Sequence, residues 1–544
     1  MKLKLNNLTI YVLLFIYILY QIYLSSLGGA TYDQFAQWLG AGYIFEKVQA
    51  YKNFDFNNII FDQELNTFDF FGYFFMLPAF IFERVVNRVS FNEFNKPMNS
   101  FAENFLYEDA LTYFSLHFFL IIYSFIFLIF ILKKIEKIYN RNLSLLFLIT
   151  ILFIPSFSGH LIFNIKDIPF LFQLFISKLF LYDYLINKSG NLSYRKKIIL
   201  GFLIAASMSI RINAILFILF FILFLYLTVN DKKIYLKNIS SIFLLSIIFL
   251  FLMNPQSWKD PLLWITSSMD FQSNHPWTGN TLTNGEYIFA QNMNGSYLFS
   301  WYFYRMPIFI HICIIFSLIK LIRKQYINRF SLYSLVFIIT NFLLFPLIKP
   351  TAYDGLRHFL FLIPFFVVSC FDLFKYIESK NYKKIILGTV VLYSIFTQYG
   401  LEQYKYTYFN EFVNLENVSS YCENIDGCGD WPTDYWAFSG KEISQYVNKN
   451  FNQEDLLLCK PRHSFTNYIE LDRFNDLMSD EITTKNKNFI VVSSHRPRLN
   501  DDSCGFKISG LRHACSELYT LKKTYRFTDV NMSYINKCSA SSKQ

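Results

Sequence analysis

The feature that most limits what this chain can fold into is the recurrence of long apolar runs. LSLLFLITILFIPSFSGHLI and LFQLFISKLFLYDYLI, for example, flank the short stretch FNIKDIPF at 163–170. Runs of about 20 apolar residues match a hydrocarbon core of roughly 30 Å at 1.5 Å per helical residue. Marking them along 544 residues gives about eleven expected spans: 8–28, 112–132, 143–160, 168–187, 198–211, 213–230, 238–254, 301–320, 331–348, 358–375 and 385–401. With 53% hydrophobic and 20% aromatic residues, the chain has more apolar surface than a soluble core of this size hides. A water-soluble enzyme is excluded, and a polytopic α-helical membrane protein is expected. The N-terminal MKLKLNN and its apolar run look like a signal peptide. The run is too long for one, however, and no small-residue cleavage site follows. It reads as an uncleaved first helix with its basic start in the cytoplasm.

Charge supplies the topology. With the N-terminus inside, five successive cytoplasmic loops are basic. They carry Lys133, Lys134, Lys137 and Arg141; Lys188, Arg195, Lys196 and Lys197; Lys232, Lys233 and Lys237; Lys320, Arg323, Lys324 and Arg329; and Lys375, Lys380, Lys383 and Lys384. The formal charge of +10 is thus a topology signal rather than a nucleic-acid surface. Residues 29–111, 255–300 and 402–544 fall outside. The stretch FDFFGYFFMLPAFIF (68–82) is short and contains Pro78, so it is expected to lie along the outer interface. Everything downstream of 211 depends on Arg211 and Asn213 dividing one long run into two spans.

From residue 402 the composition turns soluble. DLLLC (455–459) and NFIVVSS (488–494) read as buried strands and KEISQYVNKN (441–450) as a helix, giving a small extracytoplasmic α/β domain at 402–544 behind a membrane domain at 1–401. Cys422, Cys428, Cys459, Cys504, Cys515 and Cys538 all fall in it. That suits disulfides in an oxidising compartment, with free thiols the alternative and about 15 pairings open. No internal repeat, glycine-rich nucleotide loop or zinc spacing is present.

Ionisable groups gather at the expected outer ends of the spans, where burial makes them expensive. They include Tyr32-Asp33, Lys166-Asp167, Arg211, Arg305, Tyr353-Asp354 and Arg357-His358. A carboxylate there can take a proton from an incoming hydroxyl or amine. Cations can hold a departing phosphate, and apolar walls can hold a prenyl tail. Each residue also has a plainer use: Asp33 as a helix cap, Lys166 snorkelling to the interface, Asp354 pairing with Arg357, His358 in packing.

Five segments, in order, resemble a known family. FNIKDIPF (163–170), HPWTG (275–279), YDGLRHFLF (353–361), YFNE (408–411) and TDYW (433–436) are similar to elements of bacterial members of glycosyltransferase family 39. These are the dolichyl-phosphate-mannose protein mannosyltransferases of the GT-C superfamily. The resemblance spans nearly the whole chain and implies a GT-C glycosyltransferase fold with interfacial helices in the first outer loop. It also implies sugar transfer from a polyprenyl-phosphate donor at the outer face of a bacterial inner membrane, by a single inverting displacement. On this reading Asp33 is the catalytic base and Asp167 a second acidic position. Lys166, Arg211, Arg357 and His358 are donor-phosphate groups, and Tyr32, Arg305, Tyr353 and Asp354 line the substrate site. Gln34 stands where many members have Glu, and Ala437 where Gly is common. No metal is required, although Asp33 with Asp167 would suit one. The expected partners are the lipid carrier and a protein, lipid or glycan acceptor, with no nucleic acid; sugar, acceptor and oligomeric state stay open. Two other readings stand beside it: a flippase for lipid-linked sugars, and an inactive glycan-binding relative.

Overall fold

The computed structural model describes residues 7–52, 67–91, 110–186, 190–275, 277, 279–377, 380–418, 430–459, 461–477, 488–494 and 511–542. The chain begins with α1 (Asn7–Leu27), α2 (Gln34–Lys52) and α3 (Met76–Phe91), with a 3-10 turn at Thr67–Phe70. There follow α4 (Ala110–Ile138), α5 (Arg141–Leu152), α6 (Pro155–His160), α7 (Asp167–Leu185), α8 (Tyr194–Met208), α9 (Ala214–Thr228) and α10 (Lys232–Met253). A connecting segment holds α11 (Pro261–Ser273) and an antiparallel hairpin of β1 (Asn280–Thr283) and β2 (Glu286–Phe289). Then come α12 (Tyr297–Arg305), α13 (Ile308–Ile322), α14 (Arg329–Ile348), a 3-10 turn (Arg357–Leu362) running into α15 (Ile363–Tyr376), and α16 (Lys380–Gln398).

Each apolar run of the sequence lies on one or two of these helices. Six helices among the described residues are long and apolar enough to cross a bilayer, or seven if the bent pair α12–α13 counts as one. Shorter apolar helices lie at Arg141–Leu152, Ala214–Thr228 and Lys384–Gln398. The chain is therefore a multi-pass membrane protein. The long run at 198–230 does divide at Arg211, between α8 and α9.

Three local differences from the sequence reading have physical causes. The run at 143–160 is broken between α5 and α6 because Pro155 offers no N–H and holds Ile154 extended (φ −81, ψ 113). The run at 301–320 is broken at Pro307, which keeps Met306 extended (φ −93, ψ 141), and α12 meets α13 at 117°. Arg305 therefore ends a separate short helix instead of lying one turn inside a span. Within 68–82, the helix starts only at Met76. Pro78 sits in its first turn, where a missing N–H breaks no intrahelical bond.

α7 is the axis of the bundle, 83% buried over its apolar window, whereas α1 and α10 are 22% buried and lie at the periphery. The C-terminal part contains α17 (Gly440–Asn450), α18 (His463–Thr466) and a sheet ordered β4-β3-β5-β7-β6. β3 (Asp455–Leu458) lies between β4 (Asn475–Leu477) and β5 (Asn488–Ser494), parallel to both. The hairpin of β6 (Leu511–Tyr525) and β7 (Thr528–Ser542) adds to β5 antiparallel. The period of two divides the strands cleanly. Leu456, Leu458, Ile490 and Val492 join the core that runs through the bundle, and Leu457, Cys459, Phe489, Val491 and Cys538 form a small second cluster. Cys459 and Cys538 each take part in a disulfide, while Cys313 and Cys370 are buried free thiols. Cys422, Cys428 and Cys504 lie outside the described residues.

Candidate active site

The FNIKDIPF stretch is a built turn. Asn164 caps α7: its Oδ1 accepts from the Asp167 N–H (2.9 Å), and its Nδ2 donates to Asp167 Oδ2 (3.1 Å). The same Nδ2 lies 3.2 Å from His160 Nδ1 at the end of α6. Pro169 falls in the first turn of α7, where it is tolerated. Lys166 and Asp167 are thereby fixed at one end of the bundle axis, and Arg211, from the α8–α9 link, donates to Asp167 Oδ1.

A second pair forms beside the first. Asp33 stands at the start of α2, where a carboxylate suits the helix dipole, and accepts from Arg357 Nη1. Arg357 is nearly enclosed, with 3% of its side chain exposed, whereas 29% of the Asp33 side chain is open. The guanidinium also lies 3.5 Å from Asp354 Oδ2 and donates from Nε to His358 Nε2 (3.1 Å). It stacks 4.4 Å from the Tyr353 ring and 4.9 Å from Trp436. The turn presenting these groups is tight: Asp354 and Gly355 both have positive φ (56° and 70°), and a Cβ on residue 355 would press on the Trp301 ring.

Lys166 lies within electrostatic reach of Asp33, Asp167, Arg211 and Arg357, so the two pairs share one site. Its ammonium sits 4.0 Å from the Phe71 ring, and among the described residues no carboxylate pairs with it directly. Burial and the nearby Arg211 lower its pKa to about 7. His275, from the segment after α11, feels the same charges, and burial with Lys166 and Arg357 lowers it to about 4. Its neighbour Trp277 stacks on Tyr353 at 4.2 Å. Pro276 and Thr278 of HPWTG lie outside the described residues.

Of the residues singled out in the sequence, the fold thus brings together Asp33, Lys166, Asp167, Arg211, Tyr353, Asp354, Arg357 and His358. Tyr32 borders them, its N–H bonded to the Trp436 carbonyl (3.0 Å). Arg305 does not reach them: its hydrogen bonds go to the carbonyls of Tyr406 (2.6 Å) and Pro432 (3.3 Å), and its guanidinium lies 3.7 Å from the Phe409 ring. It ties α12 to the C-terminal part. Asp33 and Asp167 are held by different arginines, and no group of three His, Cys, Asp or Glu able to hold a metal occurs among the described residues. The sequence reading missed Asn164, His275 and Trp277 as site residues. An Asn three residues before a helix start was the available signal for the first. A second omission is Lys178, buried in the middle of α7 rather than at an end.

No protein-family model matches the sequence, and no curated protein matches it. Among solved structures, ArnT from Cupriavidus metallidurans in the apo state is similar at 10% identity, covering 90% of this chain and 94% of that one, with a TM-score of 0.46. The same protein bound to undecaprenyl phosphate is similar at 9% identity over 97% and 98%, with a TM-score of 0.48.

Proposed function

We propose that the chain is a membrane glycosyltransferase of the GT-C type. It would move a sugar from a polyprenyl-phosphate carrier to a hydroxyl or amine acceptor at the extracytoplasmic face of a bacterial inner membrane. The observation that carries this reading is the pairing of Asp33 with Arg357 and Asp167 with Arg211 around Lys166. These groups come from chain segments more than 300 residues apart and meet at one end of an apolar bundle. In the reaction the acceptor heteroatom attacks C1 of the sugar, the C1–O bond to phosphate breaks, and polyprenyl phosphate leaves with the electron pair. Asp33 takes the acceptor's proton. Lys166 and Arg211 face the charge that grows on the leaving phosphate, and Arg357 orients the base. The family resemblance of the site-forming segments FNIKDIPF and YDGLRHF supports the same chemistry. The basic ends of the helices away from the site, where Lys134 and Lys137 pair with Asp183, suit a cytoplasmic side.

The test is transfer of radiolabelled sugar from a panel of polyprenyl-phosphate donors in membranes carrying wild type or Asp33→Asn. A positioned base contributes roughly 10²–10⁴-fold, so label should move with the wild type and fall at least about 100-fold in the variant at equal folded protein. Transfer that survives the substitution would remove Asp33 as the base. A folded wild type that moves no label from any donor would favour lipid flipping or glycan binding.

A further inference from the structure

The β6–β7 hairpin ends in a two-residue loop, Arg526-Phe527, with φ of 47° and 64°. Such left-handed pairs usually contain Asn and Gly, and a phenylalanine adopts that backbone only at a cost. The ring it presents is 90% exposed. An aromatic ring held out at a strained position points to a surface that receives it.

The hairpin tip is also fixed at one height on the molecule. Gly400, just past α16, has φ 88°, and a Cβ there would collide with the Thr524 carbonyl oxygen. Arg526 Nη2 donates to the Val413 carbonyl (3.3 Å). Phe527 lies 6.2 Å from Phe396 on α16. On that apolar helix Leu392, Ile395, Phe396 and the following Tyr399 are all exposed, as is Phe412 beside Val413. In a multi-pass protein such an exposed apolar helix face meets lipid. Phe527 continues that face, so the aromatic rings stand at the level where helix gives way to the C-terminal part, as in an interfacial aromatic belt.

We propose that the hairpin tip is a membrane contact: Phe527 inserts into the interfacial zone of the leaflet on the side of the C-terminal part and pins the β6–β7 hairpin to the bilayer. The partner is the lipid surface itself, and the contact is independent of the reaction assigned to the site. The full-length protein is reconstituted in phosphatidylethanolamine/phosphatidylglycerol nanodiscs with benzoylphenylalanine in place of Phe527, or in place of the exposed Leu518 on β6 as control. After irradiation, lipid adducts are measured by mass spectrometry. At least about tenfold more lipid adduct at 527 than at 518 is expected. Equal labelling, or adducts at 527 formed with protein alone, would overturn the proposal. Phe527→Trp supplies a second readout. Lipids brominated near the carbonyl end of the acyl chain should quench its added fluorescence relative to wild type, and no added quenching in the folded variant would also overturn the proposal.

Discussion

At position 34 an amide does what a carboxylate could not. Gln34 Oε1 accepts from the Thr31 N–H (2.8 Å), while Nε2 donates to the Phe163 carbonyl (2.7 Å) and lies 2.6 Å from His117 Nε2. Gln34 is buried, and it joins the segment before Asp33 to the segment before Lys166. The amide is therefore a packing solution in this chain. Gln34→Glu would set a carboxylate against a carbonyl oxygen, a buried mismatch of about 1–3 kcal/mol. The thermal midpoint of the purified variant should fall, and an unchanged midpoint would show the amide to be dispensable. Lys166 makes a second prediction. With its pKa lowered to about 7, it is an ammonium below that pH and a neutral amine above. Because a bound phosphate favours the ammonium, affinity for polyprenyl phosphate should decrease as pH rises from about 6 to about 8. Lys166→Arg, which stays charged, should remove that decrease. Binding titrations of both proteins across the range decide it, and parallel curves would exclude Lys166 as the titrating group. His275, lowered to about 4, is neutral throughout and adds nothing to the slope.

At the scale of elements, the runs of apolar residues located the helices because burial in lipid needs only length and hydropathy. The breaks were harder to read, since a proline ends a helix only if other groups take up the freed carbonyls. At Pro307 they do: Asn410 Nδ2 donates to the carbonyls of Phe303 (2.6 Å) and Met306 (3.0 Å). The YFNE segment thus seals the α12–α13 corner. Asp434 of TDYW is structural in the same way, accepting from the N–H groups of Phe438 (3.0 Å) and Ser439 (2.8 Å). Between them Ala437 holds φ 60°. FNIKDIPF, YDGLRHF, HPWTG and Trp436 of TDYW reach the site, and nothing in their spelling separates them from segments that only fold the chain, such as YFNE. Lys178 was illegible for another reason: its surroundings come from three other helices. Among the described residues the ammonium has no hydrogen-bond acceptor. It lies 3.4 Å from the Phe337 ring and 4.9 Å, 5.3 Å and 5.8 Å from Phe365, Tyr333 and Phe217. Cation–π contacts supply up to about 2 kcal/mol, less than the several kcal/mol needed to bury an unpaired charge. Lys178→Met should therefore raise the thermal midpoint and leave sugar transfer unchanged. A lower midpoint would mean that the cation holds the four helices together, and a loss of transfer would give it a part in function.

Across the whole molecule, the two sides of the site hang from different parts of the chain. Lys166 and Asp167 stand at the start of α7, and Arg211 sits in the α8–α9 link. The strand of backbone that leads to Asp33 is instead strung to the C-terminal part. Gly29 and Tyr32 donate to the carbonyls of Phe438 (2.9 Å) and Trp436 (3.0 Å). Ser464 Oγ donates to the Ala30 carbonyl (2.6 Å), Lys441 Nζ to the Ser26 carbonyl (2.6 Å), and His463 Nε2 lies 2.9 Å from the Thr31 carbonyl. A base must sit within hydrogen-bond reach of the acceptor, and a misplacement of about 1 Å can cost roughly 100-fold in rate. The cations that would hold the phosphate are instead anchored on the bundle, Arg211 by Asp167 and Lys166 against the Phe71 ring. Slackening this strap should therefore separate the two functions. Ser464→Ala combined with Lys441→Ala should lower the transfer rate about tenfold or more, by the same geometric argument. The affinity for polyprenyl phosphate, measured on the same preparations, should stay within about twofold, because those cations rest on the bundle. A parallel loss of binding and rate would mean that the C-terminal part supports the bundle as a whole. A loss of rate alone would make it the piece that positions Asp33, an arrangement in which the C-terminal part completes a site whose cations rest on the bundle.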